Sequence, residues 1–89
     1  MRLAFSPNPS RGATTIGFQL PARSQFRLAI YDPAGRLVRQ IREGAGTTGQ
    51  NFEVWDGRDG HGVLVSRGIY LIRLSWSGGV AAGSLTVLR

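Results

Sequence analysis

Alternating apolar and polar residues recur along this chain and predict β-strands. Between Thr14 and Leu20 the apolar side chains fall on every second residue, and the same alternation runs from Phe26 to Tyr31. This period of two is that of a half-buried strand, and no stretch keeps the roughly 3.6-residue period of a helix for more than a turn or two. The pattern predicts seven strands: Leu3–Phe5, Ala13–Leu20, Phe26–Tyr31, Arg36–Glu43, Gln50–Trp55, Gly68–Ser75 and Ala82–Leu88.

Turn-forming residues separate the predicted strands. The segment 6–12 contains two prolines, which lack amide donors and do not fit inside a sheet, so it is expected to form a turn or a rigid crossing at the sheet edge. Asp32–Gly35 carries the signal of a type I turn, and Ser77–Gly79 carries that of a hairpin. Strands joined in this way, roughly 8–12 residues apart and without helices, are typical of an all-β sandwich. We expect a single domain over residues 1–89, folded as a seven-stranded antiparallel immunoglobulin-like β-sandwich.

The alternation also predicts which side chains form the core. Trp55 is expected to pack in the core against Tyr70. Apolar residues on both faces of the sixth strand indicate that it lies in the middle of a sheet. The fourth strand has an ambiguous register. The remaining predicted core positions are Thr14, Ile16, Phe18, Leu20, Phe26, Leu28, Ile30, Phe52, Val54, Ile72 and Leu74, with Leu37 and Ile41, or else Val38, as the candidates in the fourth strand.

The stretch from 54 to 70 contains the strongest turn signals of the chain. Aspartate and glycine residues follow Trp55 directly. Glycine takes backbone angles that other residues adopt only with strain, and aspartate accepts hydrogen bonds from nearby amides. The chain is therefore expected to reverse here between two strands. The residues of this structural turn motif are Trp55, Asp56, Gly57, Asp59, Gly62, Gly68 and Tyr70.

Composition and charge restrict the possible functions. The 89 residues include no cysteine, so neither a disulfide nor a thiolate metal site can form. The net charge is +6, and all eleven basic residues are arginine, which excludes lysine-based chemistry. These arginines are spread along the whole chain, so a nucleic-acid partner is not expected. No signal peptide is visible at Met1, and no apolar span of about 18 residues predicts insertion into a membrane. We interpret Arg27, Arg39, Arg73 and Tyr31 as parts of a solvated outer face of the sandwich. This interpretation is preferred to a surface that binds nucleic acid or an acidic polysaccharide.

Candidate catalytic and metal-binding residues are few. The only histidine, His61, lies in a glycine-flanked turn. Asp56 and Asp59 lie in the same exposed turn, which offers no desolvation to prepare them for acid–base catalysis. Their spacing is not that of an EF-hand calcium loop, and capping of turn amides is the more common role of aspartate before glycine. We therefore predict no catalytic residue, no metal and no cofactor, with Asp56 and Asp59 as the only candidates for calcium.

Four motifs, taken in order, resemble one known family. They are Pro7-Asn8-Pro9 with Thr14-Thr15-Ile16, then Tyr31-Asp32-Pro33-Ala34-Gly35-Arg36, then Trp55-Asp56-Gly57-Arg58-Asp59 with Gly62, and finally Gly68-Ile69-Tyr70. Together they are similar to the type A C-terminal sorting domains of the type IX secretion system and to the related immunoglobulin-like domain of flagellar hook-capping proteins. The resemblance runs from Phe5 to Arg89.

The resemblance implies a non-catalytic sandwich at the C-terminus of a larger exported bacterial protein. Such a domain is read by the outer-membrane secretion machinery and is usually cleaved as its cargo is attached to the cell surface, which implies a secreted or cell-surface location. The last strand ends as family members commonly do, in apolar residues followed by arginine, but it lacks the extra lysines that many of them carry. The recognition strand implied by the resemblance is Leu85, Thr86, Val87, Leu88 and Arg89.

Two other functions remain open at this point. The short first strand and the apolar last strand leave sheet edges that can pair with another protein chain. The domain could therefore be a structural or assembly module of an extracellular protein or filament. It could also bind a carbohydrate through Tyr31 and Trp76, although a tryptophan beside a glycine turn more commonly packs at the rim of the core.

Overall fold

Residues 3–88, the part of the chain that the computed structural model describes, form seven strands in two antiparallel sheets. The strands are β1 (Ala4–Ser6), β2 (Thr14–Leu20), β3 (Ser24–Tyr31), β4 (Leu37–Gly46), β5 (Gly49–Trp55), β6 (Gly68–Trp76) and β7 (Gly79–Val87). The three-stranded sheet has the order β1-β2-β5, and the four-stranded sheet has the order β4-β3-β6-β7. The predicted fold class, an all-β immunoglobulin-like sandwich of seven strands, is confirmed.

The core lies between the two sheets and contains the alternating positions predicted for β2, β3 and β6. The rings of Phe18 and Phe26 lie 5.2 Å apart across the sandwich. Trp55 meets Tyr70 edge-on at 5.7 Å, as predicted. β6 lies between β3 and β7, which confirms that it is a central strand. The buried hydrophobic cluster comprises Ile16, Phe18, Leu20, Phe26, Leu28, Ile30, Trp55, Tyr70, Ile72, Leu74, Leu85 and Val87.

The predicted register of β5 is wrong. Phe52 and Val54 point away from the core and are 65% and 59% exposed. Because side chains alternate along a strand, the burial of Trp55 places Phe52 and Val54 on the outer face and Glu53 on the inner one. An acidic residue is tolerated there because β5 is an edge strand, and Glu53 reaches Arg42 of the other sheet at 3.1 Å.

Two irregularities in β4 explain why its register was ambiguous. The pairing with β3 shifts between Leu28 and Ala29 and again between Ile30 and Tyr31. Each bulge inserts one residue and interrupts the strict alternation of faces. As a result Val38 and Ile41 are both partly buried against the core, whereas Leu37 is 52% exposed and was predicted wrongly.

Ion pairs join the two sheets along the side where the edge strands β4 and β5 face each other. Arg42 Nη1 lies 3.1 Å from Glu53 Oε2, and the Arg42 guanidinium lies 5.8 Å from the centroid of the Phe26 ring. Arg39 Nη1 lies 2.9 Å from Asp56 Oδ1. Arg39 therefore belongs to this seam rather than to the solvated outer face predicted from the sequence. Charges of this kind also protect edge strands from pairing with other chains.

Gly46 allows Leu20 and Phe26 to meet at one end of the core. A Cβ atom at this position would lie 2.5 Å from Leu20 Cδ1 and 3.0 Å from Phe26 Cδ1. We expect Gly46→Ala to lower the free energy of unfolding by about 1–3 kcal/mol, measured by urea denaturation, because the core has to shift. Gly44→Ala is the matched control, since its Cβ would meet only Arg42 Nε at 3.9 Å. Equal stability of the two variants would contradict the close packing at Gly46.

Candidate functional site

The turn motif between β5 and β6 is anchored at both ends to the core. Trp55 Nε1 donates a hydrogen bond of 2.9 Å to the carbonyl oxygen of Arg58. The Tyr70 hydroxyl donates one of 2.6 Å to the carbonyl oxygen of Ser66. Gly62 has a φ of 83°, a left-handed conformation that favours glycine. These contacts assign the motif a structural role, because its aromatic side chains fix the loop to the sandwich.

The carboxylates of this motif accept hydrogen bonds from amides of the turn. Asp56 Oδ1 accepts from the Arg58 amide at 3.0 Å. Asp59 Oδ1 accepts from the amides of His61 and Val63 at 2.8 Å and 3.0 Å. In the described part of the chain, no three His, Asp or Glu side chains come close enough together to hold a metal ion. The capping role predicted for both aspartates is therefore the one that the structure shows.

Stability in acid should depend on Asp59. Hydrogen bonds from the amides of Val63 and then His61 hold the pKa of Asp59 below its ordinary value of 3.8. A pKa that is lower in the folded than in the unfolded state adds stability above the unfolded value, and this stability is lost as the pH falls through the folded value. We therefore expect the melting temperature to fall as the pH drops below 3.8.

Thermal unfolding from about pH 6 to pH 2 tests this expectation, and Asp59→Ala should make the decline shallower. Asp32 contributes to the remaining slope, because hydrogen bonds from Arg36 lower the pKa of its carboxyl too. An acid slope in Asp59→Ala that matches the wild type would contradict the assignment to Asp59.

The terminal strand β7 is both part of the core and an edge of the four-stranded sheet. Leu85 and Val87 are 0% and 2% exposed, so their side chains point inward. The ladder to β6 runs without a bulge from the pair Gly68 and Val87 to the pair Trp76 and Gly79. Arg89, the last residue of the predicted recognition strand, lies outside the described residues.

The segment Asn8–Ser10, which we call the strap, lies along the end of this edge. The Ser10 amide donates a hydrogen bond of 2.8 Å to the carbonyl oxygen of Thr86, and the Leu88 amide donates one of 2.7 Å to the carbonyl oxygen of Ser10. The Thr86 amide donates to Asn8 Oδ1 at 3.2 Å. The prediction of an unprotected terminal edge is therefore wrong for Thr86 to Leu88.

The edge of β7 is open on the N-terminal side of the strap. Because the amide and carbonyl of Thr86 face outward to the strap, those of Val80, Ala82 and Ser84 face outward as well. Within residues 3–88, no hydrogen bond is found to these outward groups. The strand contains no charged residue, no proline and no bulge, which are the features that usually protect an edge. This stretch of β7 can therefore accept a further strand.

Tyr31 and Trp76 do not form a common platform for a carbohydrate. Tyr31 pairs with Leu71, and Trp76 pairs with Phe26 at the far end of the same ladder. Tyr31 lies on the outer face of the sheet, whereas Trp76 packs partly buried against the core. The rim position expected for Trp76 is confirmed, and a sugar site that uses both rings is contradicted by their separation.

The solvated outer face predicted for Arg27, Arg39 and Arg73 is present for two of these three arginines. Arg27 and Arg73 both lie on the outer face of the four-stranded sheet, as the alternation of β3 and β6 predicts. Arg27 Nε is hydrogen-bonded to Gln40 Oε1 at 2.9 Å and lies 3.9 Å from Glu43 Oε2. Arg27 lies beside these acceptors, and the Arg39 side chain points towards Asp56. The positive charges of this face are therefore isolated and do not form a continuous basic patch.

The fold, the anchored turn and the edge geometry define an immunoglobulin-like β-sandwich module. No helix in residues 3–88 is long and apolar enough to cross a membrane. A family model described as the FlgD Ig-like domain matches residues 5–84. The chain therefore belongs to the FlgD Ig-like domain family, which is non-enzymatic, and this part of the resemblance seen in the sequence is confirmed.

Solved structures with the same fold come from two bacteria. Dimeric latent PorU from Porphyromonas gingivalis is 26% identical, with a TM-score of 0.79 over 97% of this chain and 9% of that one. PorZ, described as a surface component of the type-IX secretion system of that bacterium, is 24% identical, with a TM-score of 0.71 over 98% of this chain and 11% of that one. FLGD from P. aeruginosa is 23% identical, with a TM-score of 0.68 over 96% and 70% of the two chains. The chain thus spans about a tenth of the first two structures, and no curated protein matches it.

Proposed function

We propose that this domain is a C-terminal secretion and cell-surface anchoring module of a larger exported bacterial protein. The observation that carries the proposal is the open, uncharged edge of the terminal strand, from Val80 to Ser84. Similarity to PorU and PorZ supports it, since in both cases a domain of this fold makes up about a tenth of a large protein. The partner on this proposal is the outer-membrane secretion machinery, and the location is the cell surface or the medium.

Strand addition is the physical route by which such an edge is recognised. Main-chain hydrogen bonds supply affinity, and alternate side chains supply specificity. In β7 the inward residues Leu85 and Val87 are committed to the core. Recognition then depends on the backbone and on the small outward side chains of Val80, Ala82 and Ser84, without any catalytic group.

Export of a reporter protein tests the proposed function. The reporter is fused in front of residues 1–89 and produced in a bacterium that has a type IX secretion system. We expect the reporter on the cell surface or in the medium only when the domain is attached, and inside the cell when it is not. A fusion with Trp55→Ala, which should lose the fold, controls for leakage. A wild-type fusion that stays inside the cell would contradict the proposal.

A structural or assembly module is the second candidate, favoured by one apolar surface. The outer face of the three-stranded sheet exposes Phe52 and Val54, and the Phe52 ring lies over Gly17, where a Cβ would be 3.4 Å away. The outward side chains of β1, β2 and β5 include no charge. Fractionation of native cells separates the two candidates, because a structural module stays in the mature surface protein or particle, whereas a removable sorting module is missing from it.

A further inference from the structure

The strap demonstrates that the terminal edge accepts an additional length of extended backbone. Ser10 is fully buried and forms a parallel bridge with Val87. The Ser10 amide and carbonyl both bond to β7, as the backbone of an added strand would do. The strap runs parallel to β7 and begins with Asn8 beside Thr86, so it covers Thr86 to Leu88 and leaves the preceding part of the edge open. An incoming strand that continues along β7 would reach the strap.

Exchange of the strap for another strand would conserve hydrogen bonds. The strap satisfies the amide and carbonyl of Thr86 and the amide of Leu88. An extended backbone in its place would offer donors and acceptors to the same groups, and it would gain bonds to Val80, Ala82 and Ser84 that the strap does not make. The longer strand therefore has the advantage once it is brought to this edge.

The open stretch of the edge favours an uncharged partner. The residues of β7 from Val80 to Ser84 are small and carry no charge. A partner strand without charged side chains pairs with this stretch and buries no unpaired charge. A strand that is extended and uncharged opposite Val80 to Ser84 therefore complements this surface.

We propose that the outer edge of β7 is a strand-addition site that the strap partly closes. An extended segment of another protein, uncharged opposite Val80 to Ser84, pairs with β7 and displaces the strap from Thr86 to Leu88. This inference rests on the proposed function, in which the partner is the secretion machinery. It assigns Asn8 and Ser10 a role as a removable cover of the recognised strand.

A disulfide that locks the strap tests whether it has to move. Ser10 and Val87 are bridge partners, and neighbouring strands lie about 4.8 Å apart, a separation that a disulfide can span. The chain has no other cysteine, so Ser10→Cys with Val87→Cys gives one defined bond, which mass spectrometry verifies. In the reporter assay we expect the locked double variant to be exported several-fold less than the wild type. The same double variant with the bond reduced is the matched control, and its export should exceed that of the bonded form.

A proline in the open stretch tests whether the edge itself is used. The Ala82 amide faces outward, so Ala82→Pro removes a donor from the edge and leaves the ladder to β6 intact. We expect a several-fold loss of export, with amide exchange at Leu85 and Val87 unchanged. Ala82→Ser keeps the amide and is the matched control. If Ala82→Pro does not fold, Ser84→Pro is the replacement variant, because it also removes one outward amide from the edge.

The outcomes separate this inference from the proposed function. Reduced export of both the locked variant and Ala82→Pro supports strand addition with displacement of the strap. Normal export of both overturns the inference and leaves the sorting function standing. If export falls only for Ala82→Pro, displacement of the strap is overturned. If export falls only for the locked variant, pairing along Val80 to Ser84 is overturned. If the wild-type fusion is not exported, the proposed function is wrong and the inference fails with it.

Discussion

Trp55→Ala should lower the free energy of unfolding by about 3–5 kcal/mol. Trp55 is 1% exposed, so its replacement by alanine leaves a large cavity between the sheets. The same change removes the edge-on contact to Tyr70 at 5.7 Å and the hydrogen bond from Nε1 to the Arg58 carbonyl. Because this bond anchors the turn, we expect the stretch from 56 to 66 to lose order together with the core. Urea unfolding followed by circular dichroism measures the effect.

Trp55→Phe is the matched control for this prediction. It keeps an aromatic ring against Tyr70 and loses the Nε1 hydrogen bond, so we expect it to be clearly more stable than Trp55→Ala. If the two variants were equally stable, ring packing would not be what anchors the turn. Export of the two fusions should follow their stability, since the proposed function requires a folded domain.

Leu85→Ala should lower the free energy of unfolding by about 2–5 kcal/mol. Leu85 is 0% exposed and pairs with Tyr70 in the ladder between β7 and β6. Its side chain therefore closes the core from the terminal strand. Ser84→Ala, one residue earlier and facing outward, should change stability by less than about 0.5 kcal/mol. A mild effect of Leu85→Ala would contradict the integration of the terminal strand into the core.

This prediction changes how the terminal strand can be studied. Deletion of residues 85–89 removes Leu85 and Val87 from the core, so it should unfold the domain as well as remove a recognised sequence. Loss of export after such a deletion would not distinguish the two causes. Substitutions on the outward side of the strand, such as Ala82→Pro, leave the core in place and report on recognition alone.

The central strands could be predicted from the sequence because burial of one face imposes a strict alternation. In β2 and β3 the predicted inward residues, such as Ile16 and Leu28, are all buried. The edge strand β5 followed a different rule. Its inner face borders the seam with β4, where Glu53 meets Arg42, and its apolar residue Phe52 lies outside over Gly17. The alternation of apolar and polar residues does not show which face of an edge strand points inward when a charged residue of its inner face forms an ion pair with the other sheet.

The strap could not be predicted for a different reason. The prolines of the segment predict a turn or a rigid crossing at the sheet edge, but they do not indicate which strand it contacts. Its partners on β7 are distant in sequence, since Thr86 follows Asn8 by 78 positions. Nothing local in the sequence specifies such a pairing. The signal that could have found it is the asparagine itself, whose side chain can bond a backbone amide from a segment outside the sheet ladder.

The distance between the strap and its partner also determines when the fold can be completed. A chain in synthesis has residues 8–10 long before residues 86–88, and it lacks the two core side chains of Leu85 and Val87 until the end. Folds dominated by such non-local pairs form slowly, because the loop has to close before its contacts stabilise it. The domain therefore reaches its stable state only after its last strand has been made. A truncated product would expose β6 as a new edge and remain open to degradation.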